Sequence, residues 1–193
     1  AICDVEATRR DKAESLVNGN YKNNDCRSYA DFREFLEKEK LDAVTIALPD
    51  HWHALVSVAA ANKGLDIYGE KPLARSIKEA RMIANAVEKN KVIWQTGSWQ
   101  RSVGHFHRAC ELVINGRIGK VKYVEVGLPN GRGSKTFPKR DVPAGLNYDM
   151  WLGPAPKVQY NRNLWHQPGG WASFRWFWDY AGGMMTDWGT HLL

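Results

Sequence analysis

Residues 42–48 form a near-continuous run of apolar and β-branched side chains, Asp-Ala-Val-Thr-Ile-Ala-Leu. A run of this kind is typical of a strand covered on both faces, as the strands of a parallel sheet are. Pro49 and Asp50 end the run, and a helical pattern follows until Gly64. The pattern therefore predicts a buried strand followed directly by a helix.

The same alternation of strand and helix extends over about the first 115 residues. Strands are predicted at 1–4, 42–48, 65–68 and 91–96, and helices at 7–18, 31–40, 51–63, 76–89 and 103–115. Gly19 is expected to end the first helix. Ser76 and Glu79 have the spacing of a capping box, in which each side chain satisfies the other's exposed backbone N–H. The alternation predicts an α/β fold with a parallel, doubly wound sheet.

The character of the sequence changes near residue 118. Residues 120–128 alternate polar and apolar side chains, which predicts a strand in a sheet with one wet face. A Gly- and Pro-rich loop, an irregular aromatic stretch and a final helix that begins near Gly182 are expected after it. We therefore expect two domains, 1–117 and 118–193. Because the chain opens within a strand and stops within a helical pattern, we expect it to be an internal piece of a longer protein.

The composition excludes several classes of function. The net charge of +6 is spread along the chain. The sequence has no block of Lys and Arg residues of the kind that would predict a nucleic-acid partner. The sequence contains no run of 18 apolar residues, so no membrane span is predicted. The Cys and His residues lack the spacing of metal ligands, so we predict no metal. Nine Trp residues suit either a core or the wall of a pocket for a sugar-like ligand.

Two positions at predicted strand ends are candidates for chemistry. Glu70 and Lys71 follow the strand at 65–68, at the edge where open α/β sheets bind ligands. Lys71 can bring a proton or a positive charge to a reacting oxygen, although a solvated loop is the alternative. Asp4 ends a strand that would be the second of a nucleotide-binding unit, where a carboxylate accepts hydrogen bonds from a ribose hydroxyl. A surface acid is the alternative for Asp4.

Two further pairs carry titratable or loop-forming side chains. Asp187 and His191 are four residues apart, which places them on one face of a helix. A carboxylate beside an imidazole can fix its orientation and raise its basicity, although a surface pair or a core His fits the same spacing. Pro49 and His53 follow the strand at 42–48 and lead into a helix amino end, which favours anions.

Taken in order, five segments resemble the glucose–fructose oxidoreductase / inositol dehydrogenase family, also written Gfo/Idh/MocA. The segments are Asp4 after an apolar strand, 48–53 (LPDHWH), 69–72 (GEKP), 97–101 (GSWQR) and 182–191 (GGMMTDWGTH). The resemblance implies a Rossmann domain, then the start of an α/β domain with a mainly antiparallel open sheet. It also implies that the first strand and glycine-rich turn of the Rossmann domain precede this sequence. Family members are commonly dimers or tetramers, so a homo-oligomer is expected.

The resemblance also implies roles for individual residues. The expected catalytic residues are Lys71, Asp187 and His191. The expected cofactor-binding residues are Asp4, Pro49, His53, Glu70, Lys71, Gln100 and Arg101. The expected walls of the substrate pocket are Trp165, His166, Arg175 and Trp178. The cofactor would be NAD or NADP, and the carboxylate of Asp4 favours NAD because it would repel a 2′-phosphate.

The expected activity is hydride transfer between the nicotinamide and a secondary alcohol of a sugar, polyol or related carbohydrate. His191 would act as general base, Lys71 would stabilise the alkoxide, and Asp187 would orient the substrate or His191. An NAD-dependent glycosidase of the same fold, which uses transient oxidation and elimination, is one alternative. A ligand sensor or scaffold without turnover is the other, although the joint presence of the three catalytic side chains argues against it.

Overall fold

The computed structural model describes residues 1–128, 137–161 and 173–192. In these ranges the strands are β1 (Ile2–Cys3), β2 (Ser28–Tyr29), β3 (Ala43–Ile46), β4 (Asp66–Glu70) and β5 (Trp94–Gly97). The helices are α1 (Ala7–Tyr21), α2 (Phe32–Lys38), α3 (Asp50–Asn62), α4 (Ile77–Asn90), α5 (Gly104–Ile114), α6 (Tyr148–Leu152), α7 (Met184–Asp187) and α8 (Gly189–Leu192). Two 3₁₀ helices, Trp99–Ser102 and Ser173–Trp176, lie between them.

The strands form two parallel sheets, one of β1 and β2 and the other in the order β3-β4-β5. In the second sheet Ile46 lies opposite Gly69, and Glu70 lies opposite Gly97. Because all pairs are parallel, the carboxyl ends of neighbouring strands meet at one edge. The predicted α/β fold with a parallel sheet is confirmed.

The helix boundaries follow from side-chain capping. The capping box predicted at Ser76 and Glu79 is present at the start of α4. The prediction that Gly19 ends α1 is wrong, because the helix continues to Tyr21 and ends at Lys22, which has a left-handed φ of 55°. The side chain of Asn18 bonds both backbone groups of Cys26, and these bonds hold the end of α1 against the following turn.

Two large hydrophobic cores support the fold in the described ranges, beside a smaller cluster of Ala54, Ala74 and Ile83. One lies between the three-stranded sheet and its helices, and its buried members are Leu36, Ile46, Ala60, Ala61, Leu65, Ile67 and Ala86. The other is largely aromatic and belongs to the later part of the chain, with buried members Leu146, Trp151, Leu152, Tyr160, Phe174, Tyr180 and Ala181. Nearly every member of the first core comes from the predicted strands and helices of the alternating region.

Two further expectations about local structure fail, and one short strand was not expected. Residues 120–128 form no strand, and Tyr123 and Val124 are 79% and 71% exposed, because no neighbouring strand in the described ranges pairs with them. The expected final helix is divided at Trp188 into α7 and α8. Strand β2 was not predicted, because two residues are too few for a periodic pattern.

An apolar cavity of about 430 Å³ separates the two sheets. Residues of β1 and of β3 both line it, including Ile2, Val44 and Ile46. Among the described residues β1 pairs only with β2, and β3 pairs only with β4. The cavity therefore lies between two strand edges that have no partner in this part of the chain.

Within the described ranges, no helix has both the length and the apolar character needed to cross a bilayer.

Candidate functional site

Strand β4 carries Glu70 to the ligand-binding edge of the sheet, and Lys71 follows it directly. The carboxylate of Glu70 lies against Gly97 of β5. A Cβ atom at Gly97 would lie 2.7 Å from the carboxyl carbon of Glu70, closer than real Cβ contacts allow. Gly97 therefore leaves the space in which Glu70 lies, and the adjacent Lys71 lines a cleft.

The ammonium group of Lys71 forms an ion pair with Asp187, which is 116 residues later in the chain. The Nε atom of Arg175 lies 3.1 Å from the other carboxylate oxygen of Asp187. Asp187 is only 4% exposed. A buried carboxylate needs such partners, because removing its charge from water is otherwise costly. The structure thus brings three of the predicted site residues, Lys71, Arg175 and Asp187, together around one buried carboxylate.

His191 lies beside this cluster, on α8. Burial lowers the pKa of His191 below its usual value, and the positive charge of Lys71 lowers it further. The negative charges of Glu70 and Asp187 act in the opposite direction. The ring contacts Trp99 edge to face, with centroids 6.3 Å apart. Its Nδ1 atom is buried without a hydrogen bond within the described residues. At neutral pH the imidazole is therefore largely neutral and can accept a proton.

A cleft of about 360 Å³ opens where β1, β3 and β4 end. Five predicted site residues line it, namely Asp4, Pro49, Glu70, Lys71 and Arg175. Asp4 accepts a hydrogen bond of 2.9 Å from the Glu6 N–H, and burial raises its pKa. The cleft is lined as well by residues that the sequence did not single out, including Arg9, Trp52, Met150, Trp151 and Phe174.

Several predicted residues are not among those that line the cleft, and Asp187 and His191 belong to this group. His53 is fully buried, its Nε2 lies 2.8 Å from the Leu48 carbonyl oxygen, and burial lowers its pKa to about 4. Gln100 and Arg101 belong to the 3₁₀ helix Trp99–Ser102, and the Arg101 side chain reaches the Thr190 carbonyl of α8 at 3.5 Å. Trp178 is 81% exposed. Trp165 and His166 lie outside the described residues.

Sequence reasoning missed Asp50, the first residue of α3. It is 4% exposed, and its Oδ2 atom accepts a hydrogen bond of 3.1 Å from the Gly182 N–H. Burial raises the pKa of Asp50 to about 6, and Asp187 contributes in the same direction. An acid in the first turn of a helix is common at the surface, so its type and position gave no signal of this burial.

No group of three or more His, Cys, Asp or Glu side chains in the described ranges could hold a metal ion.

Comparison with known proteins agrees with this geometry. The NAD-binding Rossmann fold of the Gfo/Idh/MocA oxidoreductase family matches residues 1–98, and the C-terminal alpha/beta domain of the same family matches residues 129–193. The chain therefore belongs to the Gfo/Idh/MocA family of NAD-binding oxidoreductases, and the predicted family is confirmed.

Individual relatives are similar over part of their length. Levoglucosan dehydrogenase of Pseudarthrobacter phenanthrenivorans is 31% identical over 94 residues, which cover 49% of this chain and 24% of the relative. The scyllo-inositol 2-dehydrogenase (NAD(+)) of Bacillus subtilis is 34% identical over 90 residues, which cover 47% of this chain and 26% of the relative. The structure of myo-inositol 2-dehydrogenase from Lactobacillus plantarum has a TM-score of 0.55 at 25% identity. The match covers 62% of this chain and 34% of that structure. The chain thus spans about a quarter to a third of the length of these relatives.

Proposed function

We propose that this protein transfers a hydride between NAD and a secondary alcohol of a sugar, polyol or related carbohydrate. The observation that carries the proposal is the ion pair between Lys71, which lines the cleft, and the buried carboxylate of Asp187. The two dehydrogenase relatives are named for levoglucosan and for scyllo-inositol, and these names support a polyhydroxylated substrate.

The cleft fits a dinucleotide in two respects. It opens at the carboxyl ends of parallel strands, and the carboxylate of Asp4 lies in its wall where a ribose hydroxyl would donate to it. Pro49, Glu70 and Lys71 would form the wall nearer the nicotinamide. A negative charge at Asp4 favours NAD over NADP, because it would repel a 2′-phosphate. The nicotinamide, when bound, would supply the hydride chemistry.

A complete dinucleotide site needs the first strand and glycine-rich turn that the family resemblance implies. The apolar cavity of about 430 Å³ between β1 and β3 would accommodate that strand, because both of its neighbours would then be paired.

The residues of this chain would act on the substrate alcohol. His191, neutral near pH 7 because burial and Lys71 lower its pKa, would take the hydroxyl proton as general base. Lys71 would stabilise the developing negative charge on the substrate oxygen. Asp187 and its partner Arg175 would hold the Lys71 ammonium in place. Trp165, His166, Arg175 and Trp178 remain candidates for the pocket wall.

The test uses the full-length protein. It would be denatured to look for released NAD(H) or NADP(H), and the native protein would then be offered a panel of sugars and polyols while nicotinamide reduction is followed. Lys71→Met should lower kcat by about 100-fold to 1,000-fold, because it removes a charge aimed at the reacting oxygen. Lys78→Met, at an exposed position of α4, is the matched control and should retain the wild-type rate.

Three results would contradict the proposal. Full activity of Lys71→Met would remove the assigned role of the ion pair. Tightly held cofactor with cleavage of glycosides and no net reduction would identify the NAD-dependent glycosidase instead. A protein that held no cofactor and showed no turnover would be a ligand sensor or scaffold of the same fold.

A further inference from the structure

Asp50 is buried at the start of α3, and neither the cleft nor the surface explains its burial. It is 4% exposed and is absent from the residues that line the cleft. A buried carboxylate is costly unless donors satisfy it. One oxygen of the side chain accepts a hydrogen bond of 3.1 Å from the N–H of Gly182, which is 132 positions later in the sequence. This bond joins the Rossmann part of the chain to the segment that carries Asp187.

The segment held by Asp50 has little freedom. Gly183 has a φ of 82°, and the Asp187 N–H donates to the Gly183 carbonyl at 3.0 Å. A Cβ atom at Gly182 would lie 2.6 Å from Thr186 Oγ1, so the turn folds tightly against α7. Because α7 has only four residues, it cannot hold its own position. The place of Gly182 therefore determines where Asp187 lies.

The charges around Asp50 are consistent with this connection. Arg175 lowers the pKa of Asp50, whereas burial and Asp187 raise it. Arg175 also contacts Asp187, which pairs with Lys71. Two buried carboxylates and two partly exposed cations are therefore neighbours, and their charges balance when all four are ionised. Asp50 is the member of this set that bonds to the backbone of the catalytic segment.

We propose that Asp50 is a positioning residue, which holds the Gly182 N–H and thereby sets Asp187 against Lys71. The kinetic consequence rests on the proposed dehydrogenase function, whereas the structural consequence does not. Asp50 does not touch the cleft, so its loss should affect the reacting groups through Asp187 and leave the cofactor wall in place.

The experiment compares Asp50→Ala, Asp50→Asn and Ser57→Ala in the full-length protein. Asp50→Ala removes the acceptor and should lower kcat by about 10-fold to 100-fold, since small misplacements of catalytic groups have effects of this size. The Kd for NAD should change by less than about 2-fold, because Asp50 lies outside the cleft wall. Asp50→Asn keeps an oxygen acceptor and should restore kcat to within about 5-fold of wild type. Ser57, fully buried on the same helix, is the matched control and should leave kcat unchanged.

A second measurement, which needs no turnover, is hydrogen–deuterium exchange of peptides that cover residues 182–188. Asp50→Ala should accelerate exchange there, whereas Asp50→Asn and Ser57→Ala should resemble wild type. If Asp50→Ala does not fold, Asp50→Leu, which is similar in size and lacks an acceptor, takes its place. Unchanged exchange in the variant without an acceptor, or equal impairment of Asp50→Asn, would overturn the proposal. The wild-type protein could turn over no sugar while the variants still show the expected differences in exchange. That combination would uphold the positioning role of Asp50 and refute the dehydrogenase function.

Discussion

At the scale of single residues, the site depends on charges that are buried together. Lys71, Arg175 and Asp187 form ion pairs in a region where Asp187 is 4% exposed. Such pairs are not strong evidence for stability, because the cost of removing charges from water offsets their attraction. Their value is geometric, since a paired ammonium has a defined position. The charges of Lys71 and Asp187 also act on the pKa of His191. A change in either charge should therefore be measurable as a change in that pKa.

The charge of Asp187 should be visible in the pH dependence of catalysis. Asp187 raises the pKa of His191, so Asp187→Asn should lower that pKa. A general base works in its neutral form, so the acid limb of kcat/KM should move to lower pH in the variant, while kcat falls. Steady-state rates between pH 4.5 and 8 check this expectation. An acid limb that moves to higher pH would contradict the conclusion that the charge of Asp187 raises the pKa of His191.

His53 should make stability depend on pH. Its pKa is lowered by burial from 6.5 to about 4, so between these values the unfolded chain binds a proton that the folded chain does not. The contribution of His53 to stability is therefore complete above pH 6.5 and is lost as the pH falls through this window. The difference in unfolding free energy between wild type and His53→Gln should decrease by about 2 kcal/mol from pH 8 to pH 5.

Urea unfolding at the two pH values measures this difference. Asp50 must be intact in both proteins, because its raised pKa acts in the opposite direction and cancels from the comparison. A difference between wild type and variant that is the same at both pH values would show that His53 titrates normally in the folded state.

At the scale of elements, the ends of helices and strands place the functional groups. Strand β4 ends at Glu70 and delivers Lys71 to the cleft, whereas α3 begins at Asp50, whose carboxylate bonds the Gly182 N–H outside the cleft wall. Helices α7 and α8 have four residues each, which is too short for stability on their own. Their position therefore depends on tertiary bonds, such as that of Asp50 to Gly182.

The capping box of α4 gives a test at this scale. The Ser76 side chain accepts from the Glu79 N–H, and the Glu79 carboxylate accepts from the Ser76 N–H at 2.9 Å. Ser76→Ala should lower the unfolding free energy by about 1 kcal/mol, because one exposed helix donor loses its partner. Ser15→Ala, on an exposed face of α1, is the matched control and should be neutral or slightly stabilising. Equal effects of the two substitutions in denaturant titrations would exclude a role for the cap.

At the scale of the whole molecule, the aromatic core of the later chain packs on the first turn of α3. The His51 ring contacts Trp151 and Tyr180, with centroid distances of 5.5 and 5.3 Å. The indole N–H of Trp52 donates to the Trp151 carbonyl at 2.9 Å. The Arg75 guanidinium also donates to the Asp179 carbonyl at 2.6 Å. These contacts hold the segment with Arg175 and Asp187 over the end of β4, where Lys71 lies.

Gly153 should be sensitive to substitution because it lies in this interface. It has a φ of 49°, and a Cβ atom there would lie 2.1 Å from the Trp52 ring. Gly153→Ala should lower the unfolding free energy by about 2–4 kcal/mol, through backbone strain and displacement of Trp52. Gly19→Ala in α1, where no atom lies within 4 Å, should instead stabilise by about 0.5–1 kcal/mol. Thermal unfolding of both variants makes the comparison, and similar Tm values would contradict it.

The sequence by itself determined the alternating strands and helices, the capping box at Ser76, and the placement of Lys71 at the end of a strand. These features depend on side chains within a few positions of each other, so periodicity and capping reveal them. Only the tertiary structure decided that Asp187 pairs with Lys71, that His53 is buried away from the cleft, and that Asp50 holds Gly182. Residues 120–128 show the same limit, because a pattern of alternation becomes a strand only where another strand can accept its hydrogen bonds. Burial and pairing across more than 100 positions depend on packing between elements, and no local pattern in the sequence encodes that packing.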